Sequence, residues 1–159
     1  MTMSRYLLTV MGAGLVTAAL GWVLRGGFLH LSGLALGVKS AWPVTFAVGV
    51  WSMLPYTVRD LLQTVLVLTR QEIIAHPGLS FLVASGNWLT DSRSLLYNLL
   101  GQVDPFVLWH LVLLTIGLRV AGRLSLKQSG ILSVVAWALF AALKLIPVAL
   151  SATFGGMLG

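Results

Sequence analysis

Four stretches of the chain, 6–24, 43–68, 105–123 and 129–154, are apolar over most of their length. A helix needs about 20 such residues to cross a bilayer core, so the pattern predicts a transmembrane helix over each. The first stretch follows a short basic start, as a signal peptide would. Its apolar run is long for that role, and Trp22 and Arg25 follow with no polar mature segment, so a retained helix is expected. Between the spans, 26–42 carries Gly26, Gly27, Gly33 and Gly37 with His30 and Lys39. Its apolar part is too short to cross, which predicts an interfacial turn or short helix. The segment 70–103 mixes Glu72, His76, Pro77, Gly78, Asn87, Asp91, Arg93 and Asn98 with apolar residues. Such a segment cannot span unaided, and an interfacial or re-entrant helical hairpin is expected. The fold class is therefore all-α, an integral membrane helical bundle of four transmembrane helices plus that hairpin, in a single domain over 1–159.

Composition supports the membrane reading, with 58% hydrophobic and 9% charged residues against about a quarter charged in soluble domains. There is no cysteine, which removes disulfides, thiolate metal sites and sulfur nucleophiles. The net charge of +6 is scattered with no polybasic run, so the expected partner is the lipid bilayer and not nucleic acid. With four spans both termini share a side. One set of loops then holds Arg25, Lys39, Arg119, Arg123 and Lys127, and the other holds Arg5, Arg70 and Arg93 diluted by Glu72 and Asp91. The positive-inside rule puts the first set in the cytoplasm and both termini outside. An outward start methionine without a signal suggests a missing upstream helix.

Candidate chemistry is sparse. Asp104 precedes Pro105, whose fixed φ suits a first helical turn, so Asp104 reads as an N-cap. Arg59 and Asp60 lie inside the second apolar stretch, where an unpaired charge costs about 2.5 to 3.5 kcal/mol. Neighbouring helix positions diverge by about 100 degrees. The expected arrangement pairs Arg59 with Asp104 and leaves Asp60 to Lys144, Gln63 or Thr64. These four charges, Arg59, Asp60, Asp104 and Lys144, either lock helices together or form a hydrated relay. His30, His76 and His110 are too scattered for a local metal site, and His110 reads as a packing hydrogen-bond donor. No His-Glu-x-x-His, paired carboxylates, phosphate loop or nucleophile elbow occurs, so no catalytic residue, metal or cofactor is expected. In the first helix Ala13, Thr17 and Gly21 form one ridge and Gly14 with Ala18 a second, which suits close helix packing within the bundle or with a partner.

Four short motifs carry a resemblance. Gly37-Val38-Lys39-Ser40-Ala41-Trp42 is followed by Trp51-Ser52-Met53-Leu54-Pro55 with Arg59, then by Asp104-Pro105-Phe106 with Trp109, then by Ile116-Gly117-Leu118. Over roughly 20–150 this order resembles the bacterial branch of the Yip1-domain family of multi-span membrane proteins. The resemblance implies about five spans, hence an absent first helix here. It also implies no catalytic activity and a role as an organising or companion subunit of larger membrane complexes, in the bacterial cytoplasmic membrane. Relatives that bind small GTPases carry an acidic, Tyr-Gly-Pro-bearing extension that this chain lacks, so a GTPase partner is not expected. The alternative is a small ion or solute transporter using the intramembrane charges.

Overall fold

The computed structural model describes residues 3–71 and 76–155; Glu72 lies outside them. All regular elements among the described residues are helical. In order they are α1 (Met3–Ala35), α2 (Trp42–Trp51), α3 (Leu54–Arg70), a 3-10 turn (Ser80–Val83), α4 (Trp88–Arg93), α5 (Leu95–Leu100), α6 (Pro105–Gly122) and α7 (Leu126–Gly155). Three helical stretches are long and apolar enough to cross a membrane: Leu8–Ala35, Pro105–Gly122 and Leu126–Ser151.

Two expectations are corrected here. α1 does not stop at residue 24 but continues to Ala35. Gly26 and Gly27 cost helix propensity yet do not break it, and Gly26 has a packing use. A Cβ there would sit 2.7 Å from Phe46, so the glycine lets α2 lie close against α1. Arg25 is consequently inside a spanning helix, not in a loop, and the loop count behind the expected sidedness loses one of its cations. The turn that does follow α1 is a Schellman motif. Gly37 takes φ +83, its amide donates to Leu34 O at 2.9 Å, and the Val38 amide donates to Gly33 O at 2.9 Å.

The second correction concerns 43–68, which is not one span. It breaks at Ser52 and Met53 into α2 and α3. Pro55 has no amide to donate back and is wholly buried at the break. The ten residues of α2 and the mixed polar face of α3, with Arg59, Asp60, Gln63 and Thr64, then leave neither as an apolar span.

α2 packs against α1 and α6, α3 against α6, and α6 antiparallel to α7. The core where these meet holds Leu29, Leu114, Leu118, Leu124, Leu132 and Ala136, flanked by Phe28, Val38 and Val48. Small polar residues close the α6–α7 seam. Ser129 and Ser133 are fully buried, Ser133 Oγ donates to Ser129 O at 2.8 Å, and Thr115 Oγ1 donates to Ser133 Oγ at 3.1 Å. α7 begins with a capping box in which Ser125 Oγ accepts from the Gln128 amide and Gln128 Oε1 accepts from the Ser125 amide.

The segment expected to be a hairpin forms the 3-10 turn and the two six-residue helices α4 and α5, which pack on each other and on α7. Asp91 organises it. The buried carboxylate accepts from the Ser85 amide at 2.8 Å, and this bond holds Asp91 below the usual carboxylate range against the opposing effect of burial. A depressed carboxyl stabilises the fold fully above its ordinary value, near 3.9, and loses that contribution as pH falls through its lower folded value. Hydrogen exchange should therefore show the Ser85 amide protected at neutral pH and unprotected in strong acid. Asp91→Asn should abolish that acid step; a step that persists in the variant contradicts the assignment.

Candidate functional site

Arg59 is the hub of the intramembrane charges. Its Nη1 lies 3.2 Å from Asp104 Oδ2, while Nε and Nη2 each lie 3.1 Å from Asp60 Oδ1. Asp104 divides its two oxygens. Oδ2 takes Arg59, and Oδ1 accepts the Val107 amide at 2.8 Å as the N-cap of α6. Asp60 does not meet Lys144, Gln63 or Thr64 through its carboxylate, contrary to expectation; Thr64 Oγ1 reaches only the Asp60 backbone oxygen. A divergence of about 100 degrees separates neighbouring side chains only when both are short. A long guanidinium with five donors in a planar fork reaches its neighbour and a second helix at once.

Below this hub, rings stack towards the α2–α3 break. The Arg59 guanidinium lies 5.1 Å over the Tyr56 ring, and Tyr56 lies 4.9 Å from the His110 ring. His110 Nδ1 is 2.6 Å from Ser52 O. A carbonyl only accepts, so Nδ1 carries the proton, and the expectation that His110 is a packing donor describes this bond. It matters because Ser52 sits where the helical ladder is interrupted by Pro55. His30 and His76 lie elsewhere, against Thr45 and Tyr97. Among the described residues no group of three or more His, Asp or Glu side chains comes together.

A cavity of about 100 Å³ opens between α1, α3, α6 and α7. Arg25, Arg59 and Lys144 reach it from three different helices, with Tyr56, Gln102 and His110 adding polar edges. Leu29, Leu114, Trp137 and Phe140 supply apolar wall. Arg25 rests 5.1 Å over the Phe140 ring, and its Nη1 is 3.5 Å from Met53 Sδ, a weak acceptor. Among the described residues no carboxylate lies within ion-pair distance of Arg25 or Lys144. Lys144 was a candidate from the sequence; Arg25, Tyr56 and Gln102 were not. The missed signal is the mostly apolar stretch from Phe28 to Leu36 beyond Arg25, broken only by His30 and Ser32, which places that arginine inside a helix once Gly26 and Gly27 are allowed to be helical.

A family model described as the Yip1 domain matches residues 1–146. The chain belongs to the Yip1 domain family. It is a multi-pass membrane protein on that ground and on its three long apolar helices. Neither the curated proteins nor the solved structures give a significant match.

In this Yip1 domain the motif residues hold turns and contacts. Gly37 forms the Schellman turn after α1, and Pro55 fixes the α2–α3 break. Phe106 and Trp109 lie in the first turns of α6, Phe106 half-buried and Trp109 exposed. Gly117 is where α6 meets α2, since a Cβ there would sit 2.6 Å from Val48 Cγ1. The ridges of Ala13, Gly14, Thr17, Ala18 and Gly21 behave differently. Residues 8–24 are exposed apart from half-buried Gly21, and a Cβ at Gly14 or Gly21 would meet nothing within 4 Å. These small residues pack against no other part of the described chain.

Proposed function

We propose that this Yip1-family protein is a non-enzymatic accessory or organising subunit of a larger assembly in the bacterial cytoplasmic membrane. The observation that carries this reading is the open N-terminal half of α1. Leu8, Leu15 and Val16 are exposed beside a ridge of small residues that nothing among the described residues covers. Lipid tails are as apolar as leucine, so helices associate in a bilayer by close backbone packing, which small residues at every fourth position permit. The occupant that fits is a transmembrane helix of another membrane protein, itself small on the facing side. Copurification in mild detergents tests it. The wild-type chain should migrate as a complex larger than the monomer. Gly14→Leu with Gly21→Leu should release the monomer without lowering its own thermal stability, because a Cβ at either position meets nothing within 4 Å among the described residues. A lone wild-type monomer in every mild detergent would overturn the reading.

A second reading, small ion or solute transport, is favoured by the gathering of Arg59 and Lys144 on one cavity with Asp60 and Asp104 held on Arg59. It requires proteoliposome flux that falls in Arg59→Leu and Asp104→Asn; flux equal to wild type in both removes it.

A further inference from the structure

We infer that the cavity between α1, α3, α6 and α7 binds the phosphate headgroup of an anionic lipid, with Arg25 and Lys144 as the cations that recognise it. This inference is independent of the assembly role.

It begins from charge. Three cations line the cavity, and Arg59 is already satisfied by Asp60 and Asp104. Arg25 and Lys144 remain, each on a helix long and apolar enough to span the membrane. Neither has a carboxylate at ion-pair distance among the described residues. Intramembrane cations ordinarily pair with one another's counter-ions or with backbone carbonyls. Among the described residues Arg25 instead rests against a thioether sulfur and an aromatic face. Two converging cations with that few acceptors form a site for an anion from outside the chain.

The class of anion follows from the rest of the wall. Arg presents a planar fork and Lys a mobile point charge, the combination that suits phosphate oxygens. Tyr56 lines the same cavity, as does Gln102, whose amide donates to Ala141 O at 3.4 Å. Leu29, Trp137 and Phe140 supply apolar surface around these groups. The volume of about 100 Å³ is room for several waters, the scale of a phosphate group. Lys144 lines the cavity and is itself exposed, so the acyl chains would stay in the surrounding bilayer while the phosphate enters. Basic pockets between transmembrane helices are the general form of a lipid headgroup site.

The test uses the full chain in a mild non-ionic detergent, with thermal unfolding as the readout. Phosphatidylglycerol in mixed micelles should raise the melting temperature in a saturable manner, and phosphatidylcholine at equal concentration should not. Inorganic phosphate should also fail, because it lacks the acyl chains that hold the headgroup at the cavity; a saturable rise with inorganic phosphate equal to that with the lipid would overturn the lipid source. Lys144→Leu and Arg25→Leu should each weaken the lipid response roughly ten- to a hundredfold, the size of one charge-assisted hydrogen bond. Lys144→Arg should keep it, which separates loss of binding from a folding defect. An equal response to phosphatidylcholine, or a wild-type response in folded Lys144→Leu, would overturn the proposal.

Discussion

Asp104→Ala is expected to lower the unfolding free energy in mild detergent by about 2 to 3 kcal/mol, from two separate losses. The cap on the Val107 amide is worth about 1 kcal/mol. The contact of Oδ2 with Arg59 is a hydrogen bond between charged groups, worth about 1.5 to 3 kcal/mol where it is desolvated. It is reduced here because the Arg59 side chain is 30% exposed, although Asp104 is only 11% exposed. Losing one partner of a fully buried pair costs about 3 to 5 kcal/mol because a charge is stranded. Arg59 escapes that penalty, since Asp60 still holds it from the same helix. Asp104→Asn separates the losses: the amide oxygen can still cap α6 while the charge is gone, so about 1 kcal/mol should return. Thermal or denaturant unfolding of the three proteins checks this. An Asp104→Ala protein as stable as wild type would mean that Asp104 ties nothing.

A comparable loss, about 3 kcal/mol, is expected from Gly78→Ala, but confined to the segment between α3 and α6. Gly78 has φ +56, where an L-residue costs about 1 to 2 kcal/mol. A Cβ there would also sit 2.6 Å from Val103 O and 2.9 Å from both Gly101 O and Leu100 O. Those oxygens are backbone and cannot swing aside, so overpacking adds about 1 to 3 kcal/mol. Two of them already accept the Leu79 amide, each at 3.1 Å, so relieving the clash loosens the bonds that fasten the segment to the start of α6. Gly86→Ala is the matched control. Its φ is +79 with open space around the Cβ, so it should cost only the backbone term. Hydrogen exchange should show Leu79 and its neighbours deprotected in Gly78→Ala while the amides of α6 and α7 keep their protection. Equal effects of the two substitutions would remove the steric argument.

The sequence reading succeeded where a local rule decided the outcome. Asp104 before Pro105 specified a cap, and the cost of an intramembrane charge specified that Arg59 needs an acid; α6 and α7 followed from apolar length. It failed where tertiary contact overrode a local signal. Gly26 and Gly27 looked like breakers, yet both are helical and Gly26 is a close approach to Phe46, which only the position of α2 explains. The long apolar character of 43–68 hides a break that Pro55 announces through its missing amide. Ser129 and Ser133 offer no local signal beyond a spacing of four, and only the approach of α6 shows that they are buried. The cavity was the least legible feature. Arg25, Tyr56 and Lys144 are far apart in sequence and belong to one site only after α1 is extended through its glycines.

Site-specific photo-crosslinking in intact membranes tests the assembly role most directly, with a short photoreactive side chain at Thr17 and the same probe at exposed Val120 on α6 as reference. The ridge reading predicts one discrete protein adduct of fixed mass from Thr17, lost with Gly14→Leu and Gly21→Leu, and only lipid adducts from Val120. Lipid adducts alone at Thr17, indistinguishable from those at Val120, would contradict it.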